Sequence, residues 1–350
     1  MTIKEIAQLA QVSSAAVSRY LNGGYISEEK KERIRAAIEK TGYHPSAQAR
    51  NLRTKRARLI GVVAPRLSSE SVARVTDGIG EVLAEKQFQM LLTVTNNQSD
   101  KELETMRLFE NYPVDGIILI ATVISRKHEV FFEQSRVPIV VIGQYTDKAN
   151  CVYHDDYGAA KALAEKISSS GQKEIAYIGV TRDDRVAGQA REDGFRDGLR
   201  EQGIKLMKER YRLAECSVES GYHQAKDLLD KEPDIDILSC ATDTIAAGVM
   251  QALKERKPDK RKKFQVTGFG DNRFLRAVSD GITTVHFYDK TSGVKAAEML
   301  LDAIEHGNQV PMQMKLGYRI VEILKNFFSR YDPETQRLLY KFRYGNSLLF

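Results

Sequence analysis

Ser13, Ser14, Ala15, Ser18, Arg19 and Asn22 lie within ten residues of one another. At helical spacing they turn away from the apolar pair Val17 and Leu21. Short side chains at the start of such a helix let its backbone approach base edges. Arg19 has the donors to meet guanine with two hydrogen bonds, and Asn22 can reach a phosphate or a base. The same residues equally suit the solvated face of an ordinary surface helix. A second set of polar residues follows a series of apolar runs: Ser69 and Ser71, Gln144, Asp156, Arg185 and Arg191, Thr242 and Asp243, and Asp271. Hydroxyls, amides, carboxylates and guanidiniums are the groups that hold several sugar hydroxyls at once. Taken singly, each also reads as a helix cap or a loop polar group, Asp155, Asp156 and Asp243 above all. Catalytic signatures are missing: there is no GxSxG, no Walker loop, no HExxH and no GxGxxG opening a helix. His154-Asp155-Asp156 lacks a partner at metal-ligand spacing. The expectation is therefore no enzyme, no metal and no cofactor.

The elements that must carry these residues fall into two kinds. From Ile3 to Lys40 the spacing predicts three short helices. Thr2 is placed to cap the first, Ser13 or Ser14 the second and Ser27 the third. Asn22-Gly23-Gly24 stops the second helix, and Gly42 with Pro45 stops the third. Two short helices joined by a tight turn suggest a helix-turn-helix. From Leu59 onward, the apolar runs 59–65, 89–95, 116–121, 138–143, 174–180, 237–242 and 265–270 alternate with amphipathic helix-length segments. Continuous apolar strands alternating with helices indicate parallel sheets buried on both faces, a doubly wound α/β body long enough for two lobes. Ligands of such sheets sit at the carboxyl ends of the strands, where the second polar set lies.

Charge separates the two parts. The chain carries 53 Lys/Arg and 47 Asp/Glu over 350 residues, a net +6. Twelve of the bases and only five of the acids lie in residues 1–58, and the remaining 292 residues are at −1. A basic head on a neutral body is the footprint of a polyanion binder. Cys151, Cys216 and Cys240 are odd in number and far apart, which argues against a disulfide framework. There is no signal-peptide pattern at the start and no apolar run of membrane-spanning length. A cytoplasmic location is expected.

The segment TIKEIAQLAQVSSAAVSRYLNGG, followed by GYHPSAQARNLRT and LIGVV, resembles the N-terminus of the lac/gal repressor (LacI–GalR) family. The likeness continues through VDGIIL, VYHDDYGAA, IAYIGV, REDGF, ATDTIAAGVM, VTGFGD and TTVHF to about Glu322. It implies an all-α helix-turn-helix head (1–44), a hinge helix or linker (45–58) and a two-lobed effector-binding and dimerisation domain (59–322) like the periplasmic sugar-binding proteins. Lobe one would comprise about 59–157 and 287–322, and lobe two about 158–286. By resemblance Ser14, Ala15 and Arg19 read bases, while Thr2, Ser13, Ser18, Asn22, Tyr25 and Ser27 position phosphates. Leu52 would wedge into the minor groove, Ala49 would let two hinges touch, and Arg53 would face DNA beside them. Arg191 matches the family arginine that holds the effector. Ser69, Ser71, Gln144, Asp156, Arg185, Thr242, Asp243 and Asp271 complete the candidate cleft. Gly270 stands where the family usually has an aspartate. The implied partners are double-stranded operator DNA, a second copy of the chain and a small effector. A small sugar or sugar phosphate is the first expectation for that effector and a purine-like corepressor the second, with a cytoplasmic sugar-binding protein or enzyme as the remaining alternative. Two features depart from the pattern. Gln87 lies in EKQFQ, where relatives commonly carry Gly at a helix end, so a left-handed conformation is expected there. The tail 323–350 is aromatic and basic without heptads.

Overall fold

The computed structural model describes residues 1–21, 23–43, 57–112, 114–169, 171, 174–256, 264–279, 281–307 and 310–322. Asn22, the hinge candidates Ala49, Leu52 and Arg53, and the tail 323–350 lie outside the described residues.

The head consists of α1 (Ile3–Leu9), α2 (Ser14–Leu21) and α3 (Glu28–Thr41). Thr2 caps α1 through a reciprocal box in which its hydroxyl accepts from the Glu5 N–H and the Glu5 carboxylate accepts from the Thr2 N–H. Ser13 caps α2, its Oγ accepting from the Ala16 N–H at 3.2 Å. Ser27 holds the N-cap position of α3, but its side chain makes no capping bond, which corrects the expectation that it caps that helix. Gly42 ends α3 in the left-handed region at φ 61°. Ile6, Val17 and Ile34, one from each helix, are fully buried at the centre. The turn between α1 and α2 forces Gln11 to φ 50°. Arg33 of α3 clamps that turn, donating from Nε to the Ala10 carbonyl at 2.9 Å and from Nη2 to the Gln11 carbonyl. The Ala10 carbonyl is an unpaired acceptor at the negative end of α1, where a cation is favoured.

The body contains two six-stranded sheets. The first is built from β1 (Leu59–Ala64), α4 (Glu70–Glu85), β2 (Gln89–Val94), α5 (Ser99–Asn111), β3 (Gly116–Ile120), α6 (Arg126–Gln134), β4 (Ile139–Ile142) and β5 (Asn150–His154). The second follows with α7 (Asp156–Ser168), β6 (Ile175–Gly179), a π-turn at Arg185–Ala190, α8 (Arg191–Glu201), β7 (Tyr211–Leu213), α9 (Val218–Lys231), β8 (Ile237–Cys240), α10 (Asp243–Glu255), β9 (Gln265–Phe269), α11 (Arg273–Val278) and β10 (Thr283–Phe287). The chain then returns as α12 (Asp289–His306) and β11 (Gln313–Leu316), and ends its described course in β12 (Tyr318–Glu322). The strand orders are β11-β5-β4-β3-β1-β2 and β12-β10-β9-β8-β6-β7. In both, the order reverses beside the first strand of the sheet, which opens a crevice at the carboxyl edge. β12 pairs antiparallel with β10, so residues 318–322 belong to the second sheet and not to lobe one as expected. The reason is a third crossing of the chain at Gly317, after crossings between β5 and α7 and between β10 and α12.

Helix packing on these sheets is tight. A Cβ on Gly78 of α4 would lie 2.1 Å from the Lys290 carbonyl, and one on Gly293 of α12 would lie 2.0 Å from the Val75 carbonyl. The two helices therefore meet backbone to backbone, over a core that includes Ile60, Val62, Ile118 and Leu300. Gln87, one residue past the cap of α4, adopts φ 59°.

Candidate nucleic-acid interface and ligand cleft

On α2, Ala16 and Val17 face the head core, while Ser14, Ala15 and Arg19 are exposed and Ser18 is half-buried. The helix thus presents the side chains selected from sequence on the face opposite its packing. Ser13 and Ser27 are exposed at the helix starts, and Tyr25 is 93% exposed in the loop before α3. An aromatic ring this exposed suits contact with a DNA backbone or sugar. Thr2 is also exposed, but its hydroxyl is already used in the α1 cap.

In the body, Arg191 opens α8 immediately after the π-turn. Its Nε donates to Asp156 Oδ1 at 2.6 Å and its Nη1 to the Ala241 carbonyl at 2.6 Å. The guanidinium lies over the rings of Phe269 and Phe287, 4.9 and 5.1 Å from their centroids, and the two rings stack on each other 6.3 Å apart. Strand ends β8, β9 and β10 thus converge on one side chain. Asp156 is buried, and burial pushes its carboxyl upward while the Arg191 charge and hydrogen bond pull it back. His154, stacked on Phe287 at 4.9 Å, is pushed down to about 4 by burial and by the Arg191 charge, so its ring is neutral.

A second cluster adjoins it. Asp243 accepts from Thr284 Oγ1 at 2.7 Å and from the Asn272 N–H at 2.8 Å. Burial raises it to about 6 against those two bonds. Thr284 Oγ1 also accepts from the Asp271 N–H, joining the two aspartates. Asp271, at φ 48°, takes Arg276 Nη1 at 2.8 Å and sits 2.8 Å from His286 Nδ1. Burial would raise its carboxyl, but the His286 hydrogen bond and the charges of Arg276 and His286 win and hold it low. Gly270 has φ 136°, and a Cβ there would come within 3.5 Å of the Asp243 carboxylate. Glycine is therefore suited twice over, by conformation and by a neighbouring negative charge.

Among the described residues, side chains of each lobe reach across the seam to the other. Arg74 pairs with Asp289 at 2.8 Å in its own lobe and reaches across to the Gly270 carbonyl. Glu70 accepts from the N–H of Arg273 at 3.0 Å and from its Nε at 2.7 Å. Gln144 Nε2 donates to Asp184 Oδ1 at 2.7 Å and also to the Thr122 carbonyl. Arg66 Nη1 donates to the Cys216 carbonyl at 2.8 Å. Asp289 is buried at the start of α12, and burial raises it to about 6 despite Arg74.

Of the nine candidates chosen from sequence, the structure joins Asp156 to Arg191 and Asp243 to Asp271, and places Gln144 on the seam. Thr242 caps α10, accepting from the Ile245 N–H. Ser69 and Ser71 lie 3.4 Å from each other at the start of α4, next to Glu70. Arg185 is exposed on the π-turn. Asp155, not Asp156, caps α7. Sequence reasoning missed Arg74, Asp289, Asp184, Phe269 and Phe287. The helix following TTVHF was the available signal for Asp289, which stands at its first turn.

Residues 57–322 match the model described as periplasmic binding proteins and sugar binding domain of LacI family, and residues 2–46 match bacterial regulatory proteins, lacI family. The sucrose operon repressor of Staphylococcus xylosus is 30% identical over 87% of this chain and 94% of its own length. Catabolite control protein A of Priestia megaterium is 26% identical over 81% of this chain and 87% of its own. Among solved structures, the Lac repressor bound to ONPG in its repressed state superposes with a TM-score of 0.81 at 19% identity, covering 92% of this chain and 98% of that one. The fold and sites define a helix-turn-helix regulator fused to a two-lobed, periplasmic-binding-protein-like ligand sensor. The chain belongs to the LacI family.

Proposed function

We propose that this LacI-family, DNA-binding transcriptional repressor serves a carbohydrate-utilisation operon and is released from its operator by a small sugar. The observation that supports it best is the pairing of two sites in one chain. One is an exposed Ser14–Ala15–Arg19 face on a basic head, and the other is a cleft where Arg191 is held by Asp156 over two stacked aromatic rings. Relatives that regulate sucrose and ribose operons support the sugar reading, as does a structural neighbour described as a cellobiose complex. The chain acts in the cytoplasm as a homodimer on a palindromic site, and it is not an enzyme. No helix among the described residues is long and apolar enough to cross a membrane.

In this reading Ser14, Ala15 and Arg19 specify bases, and Thr2, Ser13, Ser18, Asn22, Tyr25 and Ser27 position the duplex. Ala49, Leu52 and Arg53 engage the minor groove. Ligand favours one lobe arrangement over the other and so moves the two hinges of the dimer apart. A gel-shift series on the natural operator tests this. Release by a sugar, abolished in Arg191→Lys while operator binding persists, is the expected result. Tightening by a purine base with no response to any sugar would replace induction with corepression.

A further inference from the structure

We infer that the cleft accepts an uncharged polyhydroxylated ligand and excludes its phosphate ester. This deepens the sugar reading above and rests on it. Each of the five arginines along the seam already has a protein acceptor. Arg191 is bonded to Asp156 and Ala241, Arg273 to Glu70, Arg276 to Asp271, and Arg66 to Cys216. Arg74 is bonded to the Gly270 and Asp271 carbonyls and only ion-paired with Asp289, its Nε buried without a hydrogen-bond partner among the described residues. His286 faces Asp271, and His154 is a neutral ring stacked on Phe287. Arg185 is exposed, and so cannot offer a desolvated phosphate pocket.

A phosphate dianion entering here meets Asp156, Asp184, Asp243, Asp271 and Asp289. To gain a two-point hold on this guanidinium it must first pull Arg191 from Asp156 or from the Ala241 carbonyl, and the Arg191 and Asp156 side chains are only 12% and 3% exposed. Separating a buried pair leaves one charge uncompensated. A polyol makes no such demand. Carboxylate oxygens have lone pairs beyond the bonds they now accept, and Arg191 keeps Nη2 for a hydroxyl. Gly270 favours the same class, since it spares the seam one more carboxylate beside Asp243.

The test uses the full chain on fluorescently labelled operator, titrated with matched neutral and phosphorylated probes. These are glucose, fructose and sucrose against their 6-phosphates, and adenosine against AMP. At least one neutral sugar is expected to weaken operator affinity tenfold or more, with its 6-phosphate at least a hundredfold less potent. A phosphate ester acting at lower concentration than its neutral partner overturns the inference. If only the nucleoside pair acts, the sugar reading fails, and the charge argument is judged by whether adenosine outperforms AMP. A second measurement frees the cation: Asp156→Asn is expected to bind inorganic phosphate by calorimetry where the parent does not. Equal phosphate affinity in parent and variant counts against the inference.

Discussion

At the scale of single residues, several positions hold conformations or charges that their side chains do not favour. Gln87 sits at φ 59°, where a residue with a Cβ is strained and glycine is not. Gln87→Gly is expected to stabilise the body by about 1 kcal/mol, read as a higher melting temperature; an unchanged or lower one would contradict it. This position was legible through the family resemblance, because relatives commonly carry Gly there. Asp243 was legible as a cleft candidate, whereas Asp289 was not. Both are acids raised to about 6 by burial. An acid with a raised folded pKa contributes stability that is fully present below its unfolded pKa and lost as pH rises through the folded value. These two therefore weaken the fold between about pH 4 and pH 6, while Asp271, held low, acts in the opposite sense. Asp243→Asn should flatten the fall in urea midpoint between pH 4.5 and pH 7, a difference on the order of 2 kcal/mol. Identical pH profiles for parent and variant would rule that out. The raised values depend on how deeply each carboxyl is buried, which a linear pattern does not contain.

At the scale of elements, the parallel strands were readable because both faces are apolar, as in Ile117 to Ile120 and Ile139 to Ile142. The π-turn at 185–190 was not, since its sequence is short and without a clear period and its shape depends on Asp184 accepting from the Val186 and Ala187 N–H groups. β12 was misassigned because a half-exposed strand of five residues carries no mark of which sheet it will join. In the head, the periodicity located α1, α2 and α3, but the clamp that fixes the turn between α1 and α2 was invisible: Arg33 lies more than twenty residues from the carbonyls it binds. Arg33→Met removes both bonds and is expected to cost the head about 1–3 kcal/mol. Its consequence is weaker specific operator binding at unchanged non-specific binding, with partial recovery in Arg33→Lys. Loss of specific and non-specific affinity in equal measure would show instead that Arg33 touches phosphate.

At the scale of the whole molecule, the charge is distributed by task. All of the positive excess lies in residues 1–58, and the body is close to neutral. Operator affinity is therefore expected to fall roughly a thousandfold or more between 50 and 200 mM salt, as phosphate contacts release counterions. The affinity of the effector for the isolated body should barely move over the same range. Anisotropy titrations at several salt concentrations measure the first quantity and calorimetry the second. A flat salt response of the operator complex would remove the head from DNA. Placing the two functions at opposite ends of the charge distribution lets one be screened without disturbing the other.

The three crossings between the sheets also set an order of manufacture. All five parallel strands of the second sheet have left the ribosome by Phe287, with β12 added at its edge afterwards. The first sheet begins earlier, at Leu59, yet lacks α12 and β11 until Leu316 has emerged. The lobe translated first is thus completed late, and a half-built apolar surface around Leu83 and Ile118 must wait through more than a hundred and sixty residues of further synthesis after β5. That interval is where chaperones would find this polypeptide most exposed.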